Sequence, residues 1–189
     1  MDNKTVNQMN RYVALLRGIN VVGKKMIRME DLRKLFESLY FLNIKTYIQS
    51  GNVVFDVDNE DPDYLRKTIE DKILEVLNMQ VSVLIRNHSQ LQSVIANNLF
   101  LNDPTIKLES LYVTFLSYQP DIELLEKIRE FNFPPDDFKI LDNEIYVYCP
   151  NGYGKTKLNN SFFESKLKLR ATTRNWRTLN VLNEMSDSK

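Results

Sequence analysis

One cysteine, one histidine and five glycines in 189 residues already exclude several kinds of protein. Cys149 alone cannot close an internal disulfide, which argues against a stapled secreted scaffold and fits a reducing cytoplasm. His88 alone rules out a multi-histidine metal centre. A zinc site would have to rest on carboxylates, an uncommon arrangement, so no metal and no cofactor are expected. No apolar run approaches the roughly 18 residues of a membrane helix, so no membrane is expected as a partner. The opening MDNKTVNQMN lacks the charged-then-apolar pattern of a secretory signal. An excess of either charge is missing as well: 25 basic and 25 acidic residues give a formal net charge of zero. With 43% apolar and 26% charged residues the chain is not disordered, and its length suits one domain or two small subdomains sharing a core.

The charge is unevenly spread. Arg11 to Lys34 holds seven basic and two acidic residues, and Lys155 to Arg177 holds seven and one. Asp56 to Glu75 and Asp121 to Glu144 each hold three basic and eight acidic residues. On a neutral protein such segregation can mark an anion-binding face, or no more than a solvated surface.

The periodicity changes along the chain in a recognisable order. YVALLR, Tyr12 to Arg17, reads as a buried strand. MEDLRKLFESLYF, Met29 to Phe41, has helical spacing. NIKTYIQ and VVFDV, joined by Ser50-Gly51-Asn52, read as a hairpin. PDYLRKTIEDKILEVL opens with a proline suited to a helix start, and QVSVLIR alternates as a strand. This is the β-α-β-β-α-β order of a ferredoxin-like unit. It then recurs: SLYVTFLS, DIELLEKIREFNF and FKILDNEIYVYC match the first strand, first helix and hairpin. Helices are expected over about 89–97, 159–167 and 174–185, with Thr172 or Thr173 capping the last and the final strand of the second copy missing or replaced. The expected fold is therefore α+β: duplicated ferredoxin-like subdomains over 11–87 and 110–186, with antiparallel sheets, C-terminal helices and a helical connector over 88–109.

The duplication supplies an internal control. Ser117-Tyr118-Gln119-Pro120 joins strand to helix in the second copy, whereas the first copy spends Arg17 to Arg28 on that joint, with two glycines and four basic residues. A fold does not need that insertion, and long irregular loops in compact domains tend to be functional. The insertion imitates a phosphate loop and falls short. Gly18 and Gly23-Lys24 have the spacing, but Lys25 stands where Ser or Thr should hold Mg²⁺, the helix starts late, and the sheet is not parallel. NGYGKTKL, Asn151 to Leu158, also contains Gly-Lys-Thr, but Cys149 occupies the place of the first glycine. Its Gly152, Gly154, Lys155 and Lys157 could still form an anion-binding nest between strand and helix, or only a Gly-rich hairpin exit. Arg170, Arg174 and Arg177 crowd what reads as a helix N-terminus, where the dipole disfavours cations unless an anion is near.

RYVALLRGIN, TYIQSGNVVF and ATTRNW, with GYGKTKL, resemble the signature blocks of the bacterial domain of unknown function 1697 family, over about residues 12–182. The resemblance implies a duplicated ferredoxin-like fold and no established activity. The family positions match at Arg17, Gly18, Asn20, Gln49, Ser50, Gly51, Asn52, Gly154, Lys155, Arg174, Asn175 and Trp176. Thr156 stands where the family often has Ser, and Val22 where Gly is usual. Members usually begin just before the first strand, which makes Met9 an alternative start.

Neutral hydrogen-bonding residues beside cations suit a ligand with phosphates and base or sugar edges. Arg17, Lys24, Lys155 and Arg174 are expected to contact phosphate, and Gln49, Asn52 and Asn175 to read polar edges. Asn20, Ser50 and Gly154 complete the candidate binding set. No carboxylate pair or histidine stands among these residues, so no catalytic residue is assigned. Cys149 reads as a packed strand residue and His88 as the residue that opens a helix. The expected partner is a nucleotide or nucleic acid. An enzyme of unknown reaction using the same pocket, or a structural module that forms homo-oligomers through sheet edges, are the alternatives.

Overall fold

The computed structural model describes residues 9–21, 26–58 and 60–187. The chain falls into two compact units. Among the described residues, one comprises Met9–Gln90 together with Glu184–Asp187, and the other is Leu91–Asn183.

The first unit runs β1 (Met9–Leu16), α1 (Met29–Glu37), β2 (Leu42–Tyr47), β3 (Asn52–Asp58), α2 (Pro62–Leu77) and β4 (Val83–Asn87). The strands form an antiparallel sheet in the order β2-β3-β1-β4. Alternation along β1 sends Tyr12, Ala14 and Leu16 to the face covered by the helices. There they pack with Val53, Phe55, Val83 and Ile85, and with Leu32, Leu35 and Phe36 of α1 and Leu65, Ile69 and Ile73 of α2. Asp61 caps α2 by accepting from the Asp63 and Tyr64 N–H groups, with Pro62 in the first turn. α1 stops at Glu37, earlier than its apolar pattern suggests, and the chain reverses through Tyr40 at φ 60°.

Arg11 and Asp56 face each other across β1 and β3. The Arg11 guanidinium donates to both carboxylate oxygens, at 2.6 and 2.9 Å, and Asn43 donates to one of them at 2.7 Å. Chiefly through the Arg11 hydrogen bond, and against the opposing effect of burial, Asp56 is held below the usual aspartate range. A carboxylate with a depressed folded pKa stabilises the fold above its unfolded value near 4 and loses that contribution as pH falls through the folded value. Denaturant titration should therefore show the first unit weakening below about pH 4. Asp56→Asn should flatten that part of the profile, and an unchanged acid slope in the variant would exclude the pair as its cause.

After α3 (His88–Ala96) and two short 3₁₀ turns, the second unit runs β5 (Leu111–Leu116), α4 (Ile122–Arg129), β6 (Asp137–Leu141), β7 (Glu144–Tyr148), α5 (Asn160–Leu167) and β8 (Ala171–Asn175), followed by α6 (Trp176–Ser186). Its sheet has the equivalent order, β6-β7-β5-β8. Ile128, Phe163 and Leu167 of the helices pack on Leu116, Ile145, Val147, Cys149 and Ala171. The fold is thus α+β, with the ferredoxin-like pattern occurring twice.

Two expectations need correction. The last strand of the second copy is neither missing nor replaced: ATTRN is β8, paired antiparallel with β5 from Tyr112↔Asn175 to Leu116↔Ala171. The final helix accordingly starts at Trp176 rather than near Arg174, and neither Thr172 nor Thr173 caps it. That cap is Asn175, whose Oδ1 accepts from the Thr178 N–H at 2.7 Å.

Candidate functional site

In the first unit the candidate residues gather where β1 leaves the sheet. The Leu16 N–H bonds the Gly51 carbonyl and the Arg17 N–H bonds the Ser82 carbonyl, both at 2.8 Å. Asn20, in the left-handed region at φ 55°, closes the neck of the inserted loop. Its Nδ2 donates to the carbonyls of Ile27 and Gln49, each at 2.9 Å, and its Oδ1 accepts from the Ile27 N–H at 2.8 Å. Ile19 and Ile27 are buried on either side of it. Asn52 is fully buried and donates to the Tyr47 carbonyl and the Ser50 hydroxyl, which shapes the β2–β3 turn. Asn20 and Asn52 are therefore engaged in holding backbone. Gln49 is exposed, while Arg17 and Ser50 are half-buried. Lys24 lies outside the described residues, as do Val22, Gly23 and Lys25.

In the second unit the Gly-rich segment leaves β7 and turns at Gly152, whose φ of 89° favours glycine. A 3₁₀ turn follows over Tyr153–Lys155. The Tyr153 ring packs 4.9 Å from Tyr112, and its hydroxyl bonds the Thr173 Oγ1 at 2.9 Å. Thr173 Oγ1 is also bonded to Thr114 and to Asn160. This polar knot anchors one side of the loop and leaves Gly154 and Lys155 exposed. The Thr156 hydroxyl, where a phosphate loop would hold Mg²⁺, instead accepts from the Leu158 N–H at 3.0 Å. Burial pushes the Cys149 thiol up to about 11, against a hydrogen bond with Thr156, as befits a packed residue.

Beside this loop lies an open pocket of about 470 Å³, lined by Phe133, Pro134, Pro135, Asp136, Asn151, Lys155 and Lys157. Lys157 Nζ sits 5.8 Å from the centre of the Phe133 ring. Among the described residues, the Lys155 ammonium, the Asn151 amide and the Asp136 carboxylate have no hydrogen-bond or ion-pair partner. The fold therefore sets a member of the acidic Asp121–Glu144 segment beside two of the basic segment, just as Arg11 meets Asp56 in the first unit. Part of the charge segregation seen along the chain is resolved in space.

Arg174 is not on this surface. It is buried in β8, and its Nη1 donates to the Thr172 hydroxyl and the Thr173 carbonyl, both at 2.8 Å. Burial pulls its pKa down to about 10, against the influence of Tyr153, so it stays charged at neutral pH. Alternation along β8 points Arg174 away from the face that receives Tyr153. Asn175 serves as the α6 cap described above. The first copy repeats this joint. Arg86 pairs with Val13 as Arg174 pairs with Val113, and Arg86 Nη1 donates to the preceding Ile85 carbonyl at 3.0 Å. Asn87 Oδ1 accepts from the Gln90 N–H as Asn175 does from Thr178. An Arg-Asn pair closing the last strand of each copy is a feature of the fold.

Sequence reasoning passed over Phe133, Pro134, Pro135 and Asp136. The run of turn formers in NFPPDD is the signal that could have drawn attention there. Among the described residues no group of three or more His, Cys, Asp or Glu could hold a metal, and no helix is long and apolar enough to cross a membrane.

The family profile described as Protein of unknown function (DUF1697) matches residues 9–146. The chain belongs to this family. The matched stretch ends within β7, so the GYGKTKL and ATTRNW blocks lie beyond it. The conserved bacterial protein SP0830 from Streptococcus pneumoniae has a solved structure similar to this chain, with a TM-score of 0.71 at 20% identity. The match covers 95% of this chain and all of that one, and at this identity it speaks for the fold alone. No curated protein matches the chain.

Proposed function

We propose that this family member binds a phosphate-bearing ligand, a nucleotide or nucleic acid, in the pocket beside the Gly152–Lys157 loop. One observation carries the reading: two lysines and an asparagine share an open pocket with an apolar wall of Phe133, Pro134 and Pro135. Lys155 and Lys157 would meet phosphate, with the Gly154 backbone beside them. Asn151 would hydrogen-bond a sugar or base edge. In the first unit Arg17, Gln49 and Ser50, at the β1 exit and the β2–β3 turn, are proposed as separate contacts to phosphate and polar edges. The single buried cysteine fits a cytoplasmic setting.

Thermal melting of the full chain with nucleotides, short RNA and short DNA, at low and high salt, tests this. A ligand at 100 times its Kd should stabilise by about 2.7 kcal/mol. The shift should vanish in Lys155→Ala/Lys157→Ala. A shift that fades steeply with salt identifies nucleic acid, whereas one that resists salt identifies a pocketed nucleotide. No shift with any ligand, or the same shift in the double variant, would sink the proposal.

A further inference from the structure

A carboxylate is an unexpected neighbour for two lysines meant to receive an anion. Asp136 lines the same pocket as Lys155 and Lys157, yet among the described residues it forms no ion pair with either. A negative group in that position repels phosphate, so an inorganic phosphate site would be better without it. The volume of about 470 Å³ also lies within the range of about 300–1,000 Å³ typical of sites for whole small molecules. Cations, a separate carboxylate and an apolar wall together match a ligand that is anionic at one end, flat in its body and rich in N–H donors at the other.

The wall is stiff. Phe133 lies 6.2 Å from Phe131, with ring planes 18° apart, and 5.4 Å from Phe162, which meets it nearly edge-on at 88°. Rings held on two sides offer a fixed surface to a planar group.

Building on the phosphate reading above, we infer that the pocket takes a nucleotide with an amino-bearing base, best matched by guanine, and that Asp136 selects that base. A carboxylate accepts hydrogen bonds and donates none when ionised. Guanine presents a ring N–H and an exocyclic amine side by side, two parallel donors for the two carboxylate oxygens. Uracil and thymine offer one N–H flanked by carbonyls, whose lone pairs face the carboxylate unfavourably. Adenine and cytosine present an amine beside an acceptor nitrogen and satisfy one oxygen only.

Calorimetric titration of the full chain with GMP, UMP and inorganic phosphate separates the possibilities. The wild type should prefer GMP over UMP by about tenfold or more. Asp136→Ala should weaken GMP by a similar factor, while UMP and phosphate bind as well or better because a repelling charge has gone. Among the described residues the Asp136 side chain has no hydrogen-bond partner to lose, so the variant should keep its fold. Equal affinity for GMP and UMP in the wild type overturns the inference. So does an Asp136→Ala variant that binds both more tightly by the same factor, since the carboxylate then acts only by repulsion. If GMP binding is lost in Lys155→Ala/Lys157→Ala but its preference over UMP survives in Asp136→Ala, the phosphate pocket stands and the base assignment falls. If the wild type binds none of the three, both readings fall together.

Discussion

Gly51→Ala is expected to destabilise the first unit by about 2–5 kcal/mol, from left-handed backbone strain of about 1–2 and overpacking of about 1–3. Gly51 holds φ 72°, and a Cβ there would lie 2.7 Å from the Leu16 Cβ and 2.8 Å from the Ile19 Cδ1. Leu16 and Ile19 are both buried, so neither can step aside into solvent. The carbonyl of the same glycine receives the Leu16 N–H, which ties any backbone shift to the exit of β1. The other glycines calibrate the effect. Gly152 has a positive φ but open space, so alanine should cost only the conformational part, about 1–2 kcal/mol. Gly154 has open space and no unusual φ, and alanine there should stay within about 0.5 kcal/mol of the wild type. Urea unfolding followed by circular dichroism, with hydrogen exchange at β1 and β3 amides, ranks the three variants. If Gly51→Ala proves no worse than Gly154→Ala, the close approach at Leu16 does not constrain the turn.

Removing the Asn20 side chain should cost about 2–4 kcal/mol, because several backbone groups lose their partner at once. Ile27 loses partners for both its N–H and its carbonyl, and Gln49 loses one for its carbonyl. Ile27 is buried, so water is a poor replacement for its groups. Alanine also tolerates φ 55° less well than asparagine, which visits this region readily. Asn20→Gly separates the two effects, since glycine keeps the backbone angle and loses the hydrogen bonds. The difference between the variants should be about 1 kcal/mol in favour of glycine. Amide exchange at Ile27 is the direct readout. Unchanged protection there in Asn20→Ala would show that the loop neck is held by something else.

The element order was readable because two signals agreed: a period near 3.6 in the helices and a period of 2 in the strands. The second copy then followed from resemblance to the first. β8 was missed because ATTRN carries no apolar alternation; its strand state comes from pairing with β5. Its two threonines are a weak β signal by themselves. Laying VLIRN over ATTRN would have revealed the strand and its shared Arg-Asn ending. The candidate site was less legible. Gly154 and Lys155 emerged on an exposed loop as the Gly-rich pattern suggests, but Arg174 turned inward, since nothing in local spacing tells which face of a strand an arginine will occupy. The role of Asn20 depends on a bond to Gln49, 29 positions along the chain. Asp136 meets the lysines only through tertiary folding, and a charge count along the chain had placed them in opposing camps.

The described residues Glu184–Asp187 belong with the first unit. Arg11, already clasping Asp56, also donates through Nη1 to the Asp187 carbonyl at 2.7 Å, and His88 Nδ1 meets the Ser186 hydroxyl at 3.0 Å. A ribosome makes Arg11 and His88 before the second repeat, and Ser186 and Asp187 only after β5 to β8. The first repeat therefore leaves the exit tunnel with two contacts unmade and gains them only after the whole second repeat has been translated. Cutting the gene at the repeat boundary would deprive the first-repeat fragment of a strap encoded beyond the second repeat.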